Sequence, residues 1–229
     1  MGFQGEKKKN HAPVFPMKRR LGVWLPDGDS HFERVMLKAP TARRGKKKVG
    51  TYQLDKLLES VSKCTQTRTA LDIGAHVGFW SMWLVTYFQK VHAFEPVGEH
   101  GECFQRNVCG AELHPVAVGD RVGSVGIDID EANTGKSHVF GFGLIPMITV
   151  DSLDLNDVDL IKIDVEGMEA QVIAGALKTI ERCKPVLVVE EKGHHERYGN
   201  RESQSVEMLM DMGMRVSRKM GADYIMVWK

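Results

Sequence analysis

The chain of 229 residues is poor in cysteine and has no long apolar stretch. Its four cysteines are scattered and form no Cys-x-x-Cys pair; they are Cys64, Cys103, Cys109 and Cys183. This distribution argues against a disulfide framework or a cysteine-based zinc site and is typical of a reducing compartment. No apolar run reaches the length of a membrane span, and the N-terminus lacks the apolar core of a signal peptide. We therefore expect a soluble protein of the cytoplasm.

The chain also lacks a strong net charge, because 31 Lys and Arg side chains offset 30 Asp and Glu side chains. The charges are nevertheless unevenly spread. Residues 1–50 hold 13 basic and 4 acidic side chains, which is +9, so the remainder must carry −8. The basic side chains cluster at residues 7–9, 18–20 and 43–48. Such clusters either bind nucleic acid, an anionic surface or an acidic partner, or are simply solvated, and both alternatives stay open for residues 7–48.

The first fifty residues are predicted to form a small basic N-terminal extension. Residues 22–26 and 31–37 read as two short strands, which a turn over residues 26–29 would join into a β-hairpin. Residues 51–229 then form the main domain.

From Thr51 onward, helical and strand periodicities alternate, and the 42% hydrophobic content is enough for a sizeable core. This alternation predicts an α/β fold with a doubly wound, Rossmann-like parallel sheet. Predicted helices span 52–63, 79–88, 98–108, 168–180 and 203–212; predicted strands span 69–73, 91–95, 113–118, 122–129, 159–163 and 185–191, with a closing antiparallel hairpin of 214–218 and 224–228 and a polar loop over 131–143.

A glycine turn follows the first strand of this domain. It reads Asp-x-Gly-x-x-x-Gly, with Asp72, Gly74 and Gly78 at the fixed positions. Dinucleotide-binding turns read Gly-x-Gly-x-x-Gly and cradle a pyrophosphate, which a carboxylate at the strand end would repel. Asp72 favours a ligand with positive charge instead, and S-adenosylmethionine carries both an ammonium and a sulfonium. The spacing therefore argues against a nicotinamide-dependent oxidoreductase.

The next strand ends in Glu95, roughly 20 residues beyond the glycine turn, where Rossmann-like sites hold the two ribose hydroxyls. We expect Pro96 and Val97 to flank the adenine, with the turn at residues 116–120, including Val118, beneath it. The alternative is a tight turn followed by an unrelated surface glutamate.

Acidic side chains end two later strands as well, and ligands of parallel sheets bind at the carboxyl ends of the strands. Asp164, Glu166 and Glu190 lie at these ends, and we expect them to form a negative cleft with Asp72 and Glu95. The three later acids are the candidate catalytic residues, because a carboxylate there can remove a proton from an acceptor.

Two basic features near these acids have alternative interpretations. Lys162 shares a strand face with Asp164, so it either holds Asp164 in a buried ion pair or tunes it for the substrate. His194 and His195 are either solvated, a general base or, with Asp164, metal ligands. No tight ligand spacing supports a metal, so no metal site is predicted.

These motifs together resemble the FkbM methyltransferases, a class I family that depends on S-adenosylmethionine. The resemblance covers roughly residues 51–191 and is most specific at Ile161–Gly167; it rests on Asp72–Gly78, Phe94–Pro96, Ile161–Gly167, Glu169, Gly175–Ala176, Pro185 and Glu190. It implies a seven-stranded sheet with an antiparallel last strand, and methyl transfer usually to a hydroxyl. It further implies that Gly74, Gly78 and Glu95 touch the cofactor and that Asp164 and Glu166 face the reaction centre. His76 replaces the asparagine usual in the turn, and we count it among the expected cofactor contacts.

The predicted activity is S-adenosylmethionine-dependent O-methylation of a small-molecule, sugar or glycan hydroxyl. Enzymes that methylate amino groups of nucleic acids often carry Asn/Asp-Pro-Pro-aromatic after the fourth strand, whereas this chain has Asp164-Val-Glu-Gly167. Two alternatives use the basic N-terminal region: methylation of an RNA ribose hydroxyl, and a nucleic-acid-binding module on a methyltransferase scaffold.

Overall fold

The computed structural model describes residues 14–229. The lysine cluster at residues 7–9 lies outside them. The described strands are β1 (Met17–Arg20), β2 (Val23–Pro26), β3 (Thr41–Arg44), β4 (Lys47–Gly50), β5 (Thr69–Ile73), β6 (Lys90–Phe94), β7 (Glu112–His114), β8 (Ala117–Val118), β9 (Gly123–Asp128), β10 (His138–Ile148), β11 (Val158–Ile163), β12 (Val186–Glu190), β13 (Met214–Met220) and β14 (Asp223–Trp228). The α-helices are α1 (Ser30–Lys38), α2 (Leu54–Val61), α3 (Ser81–Leu84), α4 (Gly98–Asn107), α5 (Glu169–Ala174), α6 (Leu177–Cys183) and α7 (Gln204–Asp211).

A mostly parallel seven-stranded sheet organises the fold, with the order β13-β14-β12-β11-β5-β6-β7. Neighbours from β12 to β7 are parallel, whereas β14 is antiparallel to both β12 and β13. Strands β5, β11 and β12 are buried along their whole length, as expected of strands covered on both faces. The predicted α/β sheet and its antiparallel closing hairpin are thus confirmed.

The N-terminal hairpin was predicted in the wrong place. Strand β1 pairs with β2, and the predicted strand at residues 31–37 is helix α1. Asp29 caps this helix, because its carboxylate accepts a hydrogen bond from the Phe32 amide at 2.7 Å. A second hairpin, β3 with β4, carries the basic cluster at residues 43–48.

Residues 14–50 pack against the sheet domain. Val23, Leu25 and Met36 lie fully buried in the same apolar cluster as Leu84 and Leu160 of the main domain. A separate N-terminal extension is therefore not confirmed, and the division of the chain at residue 50 remains a prediction.

Several segments of the main domain differ from the sequence-based expectation. The predicted helix 168–180 is two helices, α5 and α6, and the predicted helix 79–88 contains only the short α3. The predicted loop over 131–143 contains the start of β10, which pairs antiparallel with β9 through an irregular register. The predicted strand 113–118 is two strands, because Pro115 interrupts it: β7 joins the main sheet and β8 pairs with β10. Strands β9 and β10 together form an arm beside the carboxyl ends of the main sheet, and we call them the β9–β10 arm.

Within residues 14–229, no helix is both long enough and apolar enough to cross a bilayer.

Candidate functional site

The main cavity lies where β5, β6 and β11 end. It encloses about 930 Å³ of empty space, its open mouth included. The strand ends supply Gly74, Glu95 and Asp164, helix α1 supplies Phe32, and the β9–β10 arm supplies Val139. The cavity is therefore built by the sheet edge and covered by segments that are distant in sequence.

The glycine turn after β5 is shaped by contacts within the protein. Gly74 has φ +75°, and a Cβ there would stand 1.9 Å from the Asp164 carbonyl oxygen. Gly78 has φ +92°, and its Cβ would stand 2.4 Å from a Val108 methyl group. Both glycines are needed because neighbouring protein atoms occupy the space that a side chain would require. His76 adopts φ 51°, a left-handed conformation that asparagine accepts more readily than most residues.

Glu95 ties the glycine turn to the end of β6. Its Oε2 accepts the His76 backbone N–H at 2.8 Å, and its Oε1 accepts the Val97 N–H at 3.0 Å. The His100 ring nitrogen Nδ1 lies 3.1 Å from the same Oε1. A carboxylate offers about four acceptor positions, so Glu95 keeps capacity for a ligand hydroxyl on the cavity side.

The charge of Asp72 is paired inside the protein. It is fully buried; its Oδ2 accepts the Ser81 hydroxyl at 2.7 Å, and its Oδ1 lies 3.3 Å from Lys162 Nζ. Lys162 also donates to the Gly74 carbonyl at 2.7 Å and lies 3.7 Å from Asp164. The predicted ion pair of Lys162 with Asp164 is present, and it extends to Asp72 and to the turn itself.

Three carboxylates converge at the other end of the cavity. Oxygens of Asp164, Glu166 and Glu190 lie within 4.8 Å of one another. Lys192 Nζ sits among them, 2.5 Å from Glu190, 3.3 Å from Glu166 and 3.9 Å from Asp164. The expected negative cleft is therefore balanced by two lysines, Lys162 and Lys192.

The carboxylate pair Asp164 and Glu190 divides its protons unequally. Burial raises the pKa of Glu190 to about 9, and the charge of Asp164 adds to this shift. Burial also opposes ionisation of Asp164, but Lys162, the hydrogen bond to Glu190 and Lys192 together hold the pKa of Asp164 below its usual range. Within the pair, ionisation is therefore favoured at Asp164 over Glu190.

Glu166 is held in an unusual backbone conformation next to this pair. It has φ 58°, and the following Gly167 has φ 118°. Glu169 fixes the turn, because its Oε1 accepts the backbone N–H groups of Val165 at 3.3 Å and Gly167 at 3.1 Å. Left-handed non-glycine residues cost free energy and concentrate at functional sites. The strained backbone therefore marks Glu166 as a candidate functional residue. Its side chain lines the cavity, and burial raises its pKa.

Four polar atoms of the cavity lining are buried and have no hydrogen-bond partner within residues 14–229. They are His76 Nδ1, His100 Nε2, Ser137 Oγ and Glu166 Oε2. Buried polar groups are normally paired, and an exception calls for an explanation. A polar ligand in the cavity would supply the missing partners.

The predicted site residues divide into two groups. Gly74, His76, Glu95, Pro96, Val118, Asp164 and Glu166 line the cavity. Asp72, Gly78 and Glu190 are not among its lining residues; they contact the lining residues Lys162, Ala75 and Lys192, respectively. Sequence reasoning missed Phe32, Tyr52 and Lys192, and it missed the contributions of the β9–β10 arm. Only Lys192 left a signal, since it follows the acids that end β12.

The Methyltransferase FkbM domain family matches residues 72–224, which is two thirds of the chain. This chain belongs to the FkbM methyltransferase family. The cofactor of this family is S-adenosylmethionine, as expected from the sequence. The matched segment contains every strand end that lines the cavity.

Several solved structures are similar to this chain at low identity. The FkbM methyltransferase of Methylobacillus flagellatus KT is 18% identical with a TM-score of 0.49, over 71% of this chain and 44% of its own. This FkbM chain thus spans less than half the length of that protein. A TehB-like methyltransferase of Corynebacterium glutamicum is 14% identical (TM-score 0.46, covering 79% of this chain and 89% of its own). A magnesium protoporphyrin IX methyltransferase of Synechocystis PCC 6803, solved with bound SAM, is also 14% identical (TM-score 0.43, covering 77% of each chain). No curated protein matches the chain.

The residues of this FkbM cavity fit S-adenosylmethionine. Glu95 has free acceptor capacity for ribose hydroxyls, Pro96 and Val97 offer apolar surface for a base, and the unpaired nitrogens of His76 and His100 lie in the same lining. Asp164 lines the cavity, and a low pKa that favours its ionised form suits it to the end where positive charge is bound.

Proposed function

We propose that this FkbM methyltransferase transfers a methyl group to a hydroxyl of a small molecule, sugar or glycan. The observation that carries the proposal is the Asp164 carboxylate, which lines the cavity and lies 3.7 Å from Lys162 and 3.9 Å from Lys192. A carboxylate in that position can accept the proton that a hydroxyl loses on methylation.

The proposed roles follow from where each side chain lies. Bound S-adenosylmethionine supplies an electrophilic methyl group, and its sulfur leaves as a neutral thioether. Glu95 binds the ribose hydroxyls, Pro96 and Val118 enclose the base, and Gly74 and His76 provide the wall beside the amino-acid end. Asp164 would orient the acceptor hydroxyl towards the bound cofactor and would take the proton that the hydroxyl loses. Glu166 and Glu190 position the acceptor and Asp164, while Asp72 and Gly78 hold the turn from behind.

Product analysis tests this proposal. Purified enzyme is incubated with S-adenosylmethionine labelled in the methyl group and with pools of sugars, glycans and hydroxylated small molecules. We expect the label in an O-methyl ether identified by mass spectrometry. Label found on nitrogen or carbon would refute O-methylation while leaving the methyltransferase activity intact.

Replacing Glu95 by glutamine should weaken cofactor binding by about 10-fold or more, because hydrogen bonds to a charged group contribute roughly 1.5–3 kcal/mol. Calorimetric titration with S-adenosylhomocysteine measures the effect. Glu181→Gln, an exposed change on α6, serves as the control and should bind normally. An unchanged Kd in Glu95→Gln would remove Glu95 from the ribose site.

A second candidate substrate, an RNA ribose hydroxyl, is favoured by a basic groove. Its lining includes Arg19, Arg44, Lys47, Lys48 and Arg106, with no acidic side chain among the described residues that form it. Trp24 lies in the same groove, with the guanidinium of Arg19 5.8 Å and that of Arg106 5.4 Å from its ring centroid. Basic grooves with an aromatic side chain are suited to single-stranded nucleic acid.

The groove lies close to the glycine turn. Asn107, which lines the groove, donates to the Val77 carbonyl at 2.8 Å, and the adjacent His76 lines the cavity. The glycine turn therefore links the groove to the cavity, although the two have no described lining residue in common.

Charge reversal at the exposed Lys47 and Lys48 tests this candidate. If RNA is the substrate, Lys47→Glu/Lys48→Glu should weaken binding of a labelled single-stranded RNA and reduce the slope of log K against log salt by about 1–2. Lys178→Glu/Arg215→Glu changes the same charge at exposed positions outside the groove. Equal losses in both variants, or no RNA binding even at low salt, would leave the small-molecule or glycan acceptor.

A further inference from the structure

Two histidines and a glutamate meet at the outer edge of the main sheet. His92 lies on β6, and Glu112 and His114 lie on the neighbouring edge strand β7. His92 and Glu112 are register partners, and His114 is two residues further along, so all three side chains occupy one face. None of the three lines the methyltransferase cavity.

Their donor atoms converge within 4.8 Å of one another. His92 Nδ1 is 3.1 Å from His114 Nε2. Glu112 Oε2 is 3.4 Å from the same His92 nitrogen, and Glu112 Oε1 is 3.8 Å from the His114 nitrogen. The histidine side chains are mostly buried, at 17% and 23% exposure, whereas Glu112 is 66% exposed. One side of the group is therefore open to water.

A hydrogen bond between the two rings accounts for only part of this arrangement. The Glu112 oxygens lie beyond the 2.7–3.2 Å range of good hydrogen bonds to nitrogen, yet they approach both rings. Ligand atoms held about 2.0–2.1 Å from a tetrahedral zinc ion are separated by about 3.3 Å. The two ring nitrogens are 3.1 Å apart, close to that value, and the two Glu112 oxygens approach one nitrogen to 3.4 Å and the other to 3.8 Å.

The geometry points to a zinc site formed by His92 Nδ1, His114 Nε2 and the Glu112 carboxylate, with water as the fourth ligand. Two imidazoles and one carboxylate are a ligand set that zinc accepts, and an open fourth position is typical where the protein supplies three ligands. Because β7 is the edge strand of the parallel sheet, the ion would join it to β6 by side chains as well as by backbone hydrogen bonds. The site is independent of the proposed methyl transfer.

Calorimetric titration of the full chain tests the site, after removal of any purification tag and treatment with a chelator. We expect one zinc ion per chain, with an accompanying rise in Tm, since an ion that binds only the folded state stabilises it. His92→Gln/His114→Gln should lose about 100-fold or more in affinity, because even second-shell changes cost 10- to 100-fold. His31→Gln, on α1 outside the cluster, is the matched control and should bind as the unaltered chain does.

Cobalt(II) in place of zinc adds a spectroscopic readout, because nitrogen-ligated tetrahedral cobalt absorbs visible light. The absorption should be present in His31→Gln and absent in His92→Gln/His114→Gln. The proposal is overturned if the unaltered chain takes up no zinc, or if zinc binds equally well without the two histidines. In the first case the rings merely hydrogen-bond to each other; in the second the ion belongs elsewhere, for example at Asp164, Glu166 and Glu190.

Discussion

Replacing Lys162 with methionine should lower the free energy of unfolding by about 3–5 kcal/mol, the usual cost of breaking a buried ion pair from one side. Lys162 is 5% exposed and lies between the carboxylates of Asp72 and Asp164. Methionine fills a similar volume but leaves a fully buried Asp72 charge with only the Ser81 hydroxyl. It also removes the donor to the Gly74 carbonyl, so cofactor affinity should fall together with stability.

Urea unfolding of three variants measures this effect. Lys178→Met, at an exposed position, should change stability by less than about 0.5 kcal/mol. The double variant Lys162→Met/Asp72→Asn should recover part of the loss, since it removes the uncompensated charge. A loss below about 1 kcal/mol in Lys162→Met would mean that Lys162 does not hold the turn.

Asp164→Asn should reduce turnover by about 100- to 10,000-fold, the range associated with loss of a general base. Asparagine keeps the size of the side chain and removes its ability to accept a proton. Lys162 keeps its contact with Asp72, so the fold and the cofactor affinity should persist. Single-turnover rates and calorimetric titration with S-adenosylhomocysteine separate the two quantities.

The lowered pKa of Asp164 also predicts how the rate depends on pH. Because the pKa of Asp164 lies below its usual range, the unaltered enzyme should keep its rate as the pH falls from about 8 to about 5 and lose it only as Asp164 is protonated. Asp120→Asn, at an exposed position outside the cavity, serves as the control and should retain both rate and profile. If Asp164→Asn turns over normally, Asp164 is structural and the proposed base is wrong.

The parallel sheet could be predicted because its strands are continuous apolar runs that end in acids. Ile161 and Ile163, for instance, are fully buried in β11, and Asp164 follows directly. Because the strands of a parallel sheet run in the same direction, their carboxyl ends lie at one edge, where ligands bind. The location of Glu95, Asp164 and Glu166 at one cavity thus followed from local patterns alone.

The N-terminal helix and the β9–β10 arm could not be predicted in the same way. Helix α1 is short, and its cap at Asp29 competes with an equally plausible turn assignment; the buried Asp29 also accepts a hydrogen bond from Thr134, more than one hundred residues away. Strand β10 includes Gly141 and Gly143, which weaken any strand signal. Its pairing with β9 and its position beside the cavity depend on tertiary contacts.

The role of Asp72 shows the limit of reasoning from a motif. Its position at the strand end suggested direct contact with a positively charged ligand. The structure instead gives it Lys162 and Ser81, and both residues become its partners only when β11 and α3 pack against β5. An internal lysine therefore neutralises the charge that the sequence assigned to the cofactor.

A crystal structure of the enzyme with S-adenosylhomocysteine tests the central claim most directly. We predict the nucleoside in the cavity at the ends of β5 and β6, with a ribose hydroxyl within hydrogen-bond distance of Glu95 and the thioether sulfur on the side of Asp164. A nucleoside bound outside this cavity, or with its ribose away from Glu95, would contradict the account.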